Sequence, residues 1–257
     1  MRTHIIERLH QIEVEHRVVI LYACESGSRA WGFPSADSDY DIRFIYVHPM
    51  EWYLTIQDKP DVLQFPIEDN LDFSGWDIRK ALGLFRKSNP PLLEWLGSPI
   101  VYQEKGNFAN RLRDLSKEYY SPTSCIYHYL HMAQGKYRER VSGKDVRLKK
   151  YFYLLRPLLA IKWIEQGLGV APTAFSMLLE KVDLDPVLKD EINRLMILKA
   201  LGSEADRIAQ SEIVNQFAAA EIQRLECETK PFQSNLAPFE LLDGIFRTIW
   251  EQVDFPS

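Results

Sequence analysis

Asp39 and Asp41 lie two apart in the stretch "ESGSRAWGFPSADSDYDIRFIY", residues 25 to 46, and run into an apolar, β-branched segment. In a strand, residues i and i+2 project from one face while the residue between them points to the other, so this spacing brings two carboxylates together. Like charges held close repel strongly once water is partly removed, and a divalent cation between them relieves the repulsion. Carboxylate oxygens without neighbouring His or Cys suit Mg2+ or Mn2+ better than zinc. Magnesium keeps waters and shares its remaining positions with substrate phosphates. Gly27 and Ser28 suit such a substrate: glycine lets backbone approach a phosphate, the serine hydroxyl donates to it, and a helix starting there aims free N–H groups at the anion. Each piece alone has a plainer reading, because "SADSDYD" also contains turn formers. The conjunction of apolar strand, Gly-Ser, ten residues and Asp-x-Asp entering another strand is what points to metal-assisted phosphoryl chemistry.

These residues need a scaffold, and the flanking sequence describes one. Ile5, Ile6, Leu9, Ile12 and Val14 recur at helical spacing, which predicts a surface helix packed on a core. "RVVILYAC" is a continuous apolar run, as expected of a strand covered on both faces, and "DYDIRFIYV" is a second strand. "SGSRAWG" between them reads as a short helix or turn closed by Gly32. "WYLTI" and "DVLQFPI" are weaker strand expectations, interrupted by Pro60 and Pro66. From Gly75 the pattern is helical through "WDIRKALGLFRKS", and "NPPLLEWLG" begins another helix after its prolines. "PIVYQ" returns as a strand and residues 105 to 118 as a helix; beyond about residue 121 only helical periods are evident, including segments near 186 to 200 and 203 to 226. The expected architecture is α+β, with a mixed-sheet domain over residues 1–118 followed by an all-helical domain over residues 119–257.

Bulk composition narrows the classes of function. The chain has 257 residues, 46% of them apolar and 26% charged, the balance of a globular protein with room for two domains. No apolar run approaches the roughly 20 residues of a membrane helix, and the amphipathic N-terminus lacks the plan of a signal peptide, so a cytoplasmic location is expected. Cys24, Cys125 and Cys227 are too scattered for a disulfide framework or a metal site and are expected to be buried thiols. The net charge of −5 argues against nonspecific coating of nucleic acid, yet it conceals two opposed regions. Residues 136 to 150, "KYRERVSGKDVRLKK", carry seven Lys or Arg against Glu139 and Asp145, whereas residues 35 to 72 carry nine acids against Arg43 and Lys59.

Gly27-Ser28, ten residues, then Asp39-x-Asp41 resembles the signature of the DNA polymerase β-type nucleotidyltransferase superfamily. More narrowly, "GSRAWGFPSADSDYDIRF", "GWDIRKALGLFRKSNPPLLEWLGSPIVY" and "KKYFYLLRPLLAIKWI" together resemble a bacterial family of predicted nucleotidyltransferases associated with RNA-repair gene neighbourhoods. The resemblance implies a small mixed sheet flanked by helices, with Asp39, Asp41 and a third carboxylate on a nearby strand binding two metals. Asp72, Asp77, Glu68 and Asp69 are candidates for that carboxylate. Asp72 is preferred by motif position, at the place where a strand would end, whereas Asp77 is already explained by the dipole of the following helix. The third acid is expected to deprotonate or orient the attacking hydroxyl.

Lys149, Tyr153 and Arg156 share one face of a helix, where Lys and Arg suit a triphosphate and tyrosine can stack on a base or sugar. A solvated helix face with an interdomain ion pair explains them equally well in isolation. Arg29 and Arg43 either meet phosphate or hold the aspartates. His128 and His131 have no third metal ligand nearby, and Trp31, Trp76, Trp95 and Trp163 read as core or cleft walls. No P-loop, nucleophile elbow or zincin helix occurs in the chain. The expectation is a Mg2+- or Mn2+-dependent transferase that passes NMP from a nucleoside triphosphate to an acceptor hydroxyl, an RNA end among the acceptors. The alternatives are a non-catalytic, antitoxin-like nucleotide-binding module and a transferase acting on a small molecule or protein.

Overall fold

A computed structural model describes residues 1–140, 145–202, 206–228 and 237–256. Contacts divide the chain into two compact units, one formed by Met1–Gly27, Asp39–Tyr120 and Asn235–Ser257, the other by Ser28–Ser38 and Ser121–Ser234.

The first unit opens with α1 (Arg2–His16) and β1 (Val19–Ser26). Ile5, Leu9 and Ile12 of α1 are buried on one stripe, while Ile6 and Val14 remain exposed, so the packed face is narrower than the apolar spacing suggested. β1 is buried along nearly its whole length, as a continuous apolar run requires. Then come α2 (Gly27–Trp31), β2 (Tyr40–Val47), α3 (Met50–Tyr53), β3 (Val62–Gln64) and β4 (Leu71–Asp77). The strand expected at "WYLTI" is instead α3 and the loop after it. Here tertiary contacts override the β preference of aromatic residues: Trp52 stacks on His48 at 3.9 Å, and the Tyr53 hydroxyl donates to Asp77 Oδ2 at 2.6 Å.

Gly75 belongs to β4, not to the following helix: it pairs with Phe44 on β2, and a Cβ there would stand 2.1 Å from the Phe44 ring. The helix α4 (Ile78–Arg86) starts only after Asp77, whose Oδ1 accepts the Arg79 N–H at 2.8 Å as an N-cap. Burial, opposed by the bonds from Tyr53 and Arg79, raises the Asp77 pKa above its ordinary 3.8. Asn89 caps α5 (Pro90–Leu96) in the same way, with its prolines in the first turn. β5 (Val101–Glu104) and α6 (Phe108–Tyr119) complete this part.

Among the described residues the sheet is five-stranded and mixed, in the order β3-β4-β2-β1-β5. β2 and β4 run parallel, and the remaining neighbours are antiparallel. Ile42, Phe44, Tyr46, Leu71 and Phe73 pack against Ile5, Leu9 and Ile12 of α1. Strand alternation therefore sends Asp41, Arg43, Asp72 and Ser74 to the opposite face. On that side Trp76 stacks on Trp95 of α5 at 3.8 Å, and α4 packs on β2 and β4.

The second unit holds α7 (Pro122–Arg140), β6 (Asp145–Arg147), α8 (Leu148–Glu165), α9 (Phe175–Lys181), α10 (Pro186–Leu201), β7 (Arg207–Ala209) and α11 (Glu212–Glu228). It is not purely helical: β6 and β7 pair antiparallel, with Val146 opposite Ile208. Three-residue strands carry too little periodicity to stand out in sequence. Of the helix expected near 203 to 226, residues 203–205 lie outside the described residues and 207–209 form β7. α12 (Glu240–Thr248) and a 3-10 turn at Ile249–Glu251 return to the first unit, where Trp250 Nε1 donates to the His48 carbonyl at 2.9 Å. Cys24 and Cys125 are buried as expected, but Cys227 is exposed. No helix among the described residues is long and apolar enough to cross a membrane.

Candidate active site

The acidic residues meet through sheet register. In the β1–β2 ladder Asp41 stands opposite Ser26, and in the β2–β4 ladder it stands opposite Asp72. The two carboxylates thus lie on adjacent parallel strands and on one face. Arg43, two residues along β2, spans them: its Nη2 lies 3.0 Å from Asp41 Oδ1 and 2.7 Å from Asp72 Oδ2. Its Nη1 donates to the Asp72 carbonyl at 2.8 Å. All three side chains are about one-fifth exposed, at 19%, 23% and 20% for Arg43, Asp41 and Asp72. Of the two roles open to Arg43, it takes that of holding the aspartates.

Local chain geometry explains why Asp72 reaches this place. Asp69 and Asn70 both adopt positive φ, 50° and 62°, between Glu68 and Leu71, whose backbone groups bond to each other at 2.8 Å and 3.3 Å. That is the tight turn that Asn and Asp accommodate without much strain, and it launches β4 beside β2. Glu68 and Asp69 are consumed by this turn. Asp77 caps α4 at the far end of the strand. Asp72 lies near the beginning of β4, not at the strand end expected for it, because β4 continues to Asp77.

Gly27 has a specific steric role. Its φ is +58°, and a Cβ built on it would fall 2.0 Å from Asp41 Oδ2. The absent side chain is what makes room for the Asp41 carboxylate. Asp39 is exposed and precedes β2, whose first residue is Tyr40. The expected i, i+2 pair thus runs from the loop end at Asp39 into the strand at Asp41, and Asp72 adds a carboxylate on the neighbouring strand.

The remaining expected binding residues belong to the second unit. Ser28 is buried, and its carbonyl accepts from the Gly32 and Phe33 N–H groups at 3.1 Å and 3.0 Å, closing the α2 turn. The segment that follows docks on α8 and α9: Trp31 meets Tyr153 edge-on at 5.0 Å, and Phe33 contacts Phe152 at 4.6 Å and Phe175 at 5.4 Å. Arg29 Nη2 donates to the Ser38 carbonyl at 2.7 Å, and the buried Lys199 of α10 donates to Ser35 Oγ at 2.8 Å. Arg29 thus braces the loop. Tyr153 and Lys149 are half-buried. Arg156 is 1% exposed, with its guanidinium 4.8 Å from the Trp31 ring and its Nη2 donating to the Pro172 and Thr173 carbonyls at 3.2 Å and 3.4 Å. Arg156 therefore has a packing role, in contrast to the phosphate contact expected of it, because the Trp31 ring and the carbonyls of Pro172 and Thr173 enclose its guanidinium.

In the basic run, Lys136 pairs with Glu139 at 3.1 Å and Lys150 donates to the Glu139 carbonyl at 3.2 Å, while residues 141–144 lie outside the described residues. His131 Nδ1 lies 2.7 Å from the Tyr127 carbonyl on an exposed helix face. Among the described residues no group of three or more His, Cys, Asp and Glu side chains is arranged to hold a metal ion. The convergent donors are the hard oxygens of Asp41 and Asp72, and a guanidinium already stands between them, so this pair fits a cation.

One participant was not singled out in the sequence. Glu25, one residue before the end of β1, is fully buried, and its Oε1 accepts the backbone N–H of Asp41 at 2.7 Å. An acid ending an otherwise apolar buried strand was the available signal.

A family model described as the RNA repair pathway DNA polymerase beta family matches residues 1–248. The chain is 45% identical over 258 residues to "Uncharacterized protein YcgL" of Bacillus subtilis (strain 168), covering 98% of each. It also aligns with the crystal structure of a nucleotidyltransferase-like protein from Exiguobacterium sibiricum 255-15, over 86% of this chain and 75% of that one, at 10% identity and a TM-score of 0.34. With a match running through both units, the chain belongs to the RNA repair pathway DNA polymerase beta family.

Proposed function

We propose that this protein is a metal-dependent nucleotidyltransferase that moves NMP from a nucleoside triphosphate to an acceptor hydroxyl, with an RNA end as the acceptor. The observation that carries the reading is the Asp41–Arg43–Asp72 arrangement on adjacent parallel strands, with the carboxylate of Asp41 seated in the gap left by Gly27. Asp41 and Asp72 would hold Mg2+ or Mn2+ between hard oxygens, and Asp39, in the loop just before β2, would turn in to add a third donor once the metal is bound. When bound, the metal supplies charge neutralisation for the phosphates and alignment of the attacking and leaving oxygens.

The protein's own groups have limited but defined work. Asp72, on the edge-side strand of the pair, accepts the proton of the acceptor hydroxyl or orients it. Arg43 offsets the charge of the two carboxylates and fixes their orientation. Gly27 and Ser28 are the proposed contacts of the phosphates. The family's association with an RNA repair pathway supports RNA over a small acceptor.

The deciding experiment incubates the protein with each labelled nucleoside triphosphate, Mg2+ or Mn2+, and total cellular RNA, then identifies the labelled molecule. Label on RNA from the wild type, abolished in Asp39→Asn and Asp41→Asn proteins that keep their fold, is the expected result. Variants that label as well as the wild type would refute it. Binding of triphosphate and Mg2+ with no pyrophosphate released from any acceptor pool would indicate a nucleotide-binding module.

A further inference from the structure

Glu25 is 0% exposed, and each of its groups is engaged with a neighbouring strand or the segment leading into it. Its N–H donates to the Ile100 carbonyl at 2.9 Å, and its carbonyl accepts from Ser98 Oγ at 2.7 Å. Its carboxylate reaches in both directions across the sheet. Oε2 accepts the hydroxyl of Tyr102 on β5, and Oε1 accepts the N–H of Asp41 on β2 at 2.7 Å. Alternation puts the Glu25 side chain on the α1 face, with Ala23 and Ile42, whereas the Asp41 carboxylate projects from the opposite face. Glu25 therefore grips Asp41 by its backbone, from behind.

Burying a carboxylate is costly unless strong donors compensate, and a bond from a backbone N–H to a charged acceptor is of the stronger kind. An apolar residue would fill this strand end with no such cost. We infer that Glu25 is a positioning residue for the site: it locks the backbone of Asp41, so that the carboxylate is set from three sides, by Glu25 at its N–H, by Arg43 at Oδ1 and by Gly27 against Oδ2. It touches no reacting atom. A negative charge behind Asp41 also deepens the potential that draws a cation to the Asp41–Asp72 face, an effect separable from position. The inference rests on the nucleotidyltransferase reading for its consequence in turnover, but not for the link between Glu25 and Asp41.

Glu25→Gln and Glu25→Ala separate the two effects, because glutamine keeps an acceptor oxygen for the Asp41 N–H without the charge. Mn2+ binding measured by electron paramagnetic resonance, transfer kinetics and amide hydrogen exchange are the readouts. Glu25→Ala is expected to weaken Mn2+ binding and lower kcat by roughly ten-fold or more, the scale of leaving a buried donor unsatisfied, with KM for the triphosphate moving much less. Glu25→Gln should recover most of kcat while keeping part of the loss in Mn2+ affinity. In Glu25→Ala the Asp41 amide should exchange faster while the rest of β2 stays protected.

A Glu25→Ala protein with wild-type kcat and Mn2+ affinity overturns the proposal, and so does a Glu25→Gln protein as impaired in kcat as Glu25→Ala. If Glu25→Ala does not fold, Tyr102→Phe takes its place: it removes one bond to the carboxylate and should lower kcat by a few-fold, and an unchanged kcat counts against the inference. If the wild type transfers no nucleotide, the functional reading falls by itself. Glu25 is then judged on the Asp41 amide alone, whose unchanged exchange in Glu25→Ala overturns the link.

Discussion

Replacing Arg43 with methionine removes the cation that the structure places between Asp41 and Asp72 while keeping much of the side chain's length. Two contacts disappear, at 3.0 Å and 2.7 Å, and so does a bond at 2.8 Å to the Asp72 carbonyl. Exposed ion pairs are worth about 0–1 kcal/mol, whereas stranding one member of a buried pair costs about 3–5 kcal/mol. With side chains at 19–23% exposure the site lies between these limits, and two carboxylates are left facing each other. A loss of about 2–3 kcal/mol near neutral pH is expected. The assay is urea unfolding followed by tryptophan fluorescence, with and without millimolar MgCl2. Free Mg2+ at ten times its dissociation constant adds about 1.4 kcal/mol to a protein that binds it only when folded. Arg43→Met, lacking its internal cation, should bind Mg2+ more tightly and recover more stability than the wild type gains. A loss below about 0.5 kcal/mol, the scatter of ordinary surface substitutions, would refute the reasoning. Equal Mg2+ stabilisation of the two proteins would refute it too.

Two further substitutions probe the same unit. Gly27→Ala would set a methyl group 2.0 Å from Asp41 Oδ2 on a backbone at φ +58°, so a stability loss of about 1–2 kcal/mol is expected by urea titration. Displacement of the carboxylate should reduce transfer by about a hundred-fold, and near-wild-type transfer would show that Asp41 need not lie where it does. His48→Phe keeps a ring on Trp52, where the histidine stacks at 3.9 Å. Burial first, then Lys59 and His16, lower the His48 pKa from 6.5 to about 4. The unfolded chain therefore takes up a proton that the folded one refuses, and stability is lost as pH falls from 6.5 towards 4, by at most about 1.4 kcal/mol per pH unit. His48→Phe should flatten that part of the urea-midpoint profile, and superimposable profiles would exclude His48 as the source.

Features that depend on neighbours along the chain are legible in the residues alone. The continuous apolar run of β1 predicts a strand covered on both faces, and Asn89 followed by two prolines predicts the start of α5, because burial pattern and capping are local. The spacing of Gly27, Ser28, Asp39 and Asp41 carried the family, which the match over residues 1–248 establishes. Features that depend on partners distant in sequence are set by packing. Which acid stands beside Asp41 is a question of strand register, answered by the parallel pairing of β2 and β4 and by the turn at Asp69 and Asn70. Arg156 occupied a helix position that looked open to phosphate, yet Trp31, 125 positions earlier by its number, covers it. Glu25 looked like the end of a strand until folding brought Tyr102 and Asp41 to its two oxygens. A side chain's type is local, whereas its partners are set by contacts that close long loops, and those contacts exist only once the sheet and helices have packed.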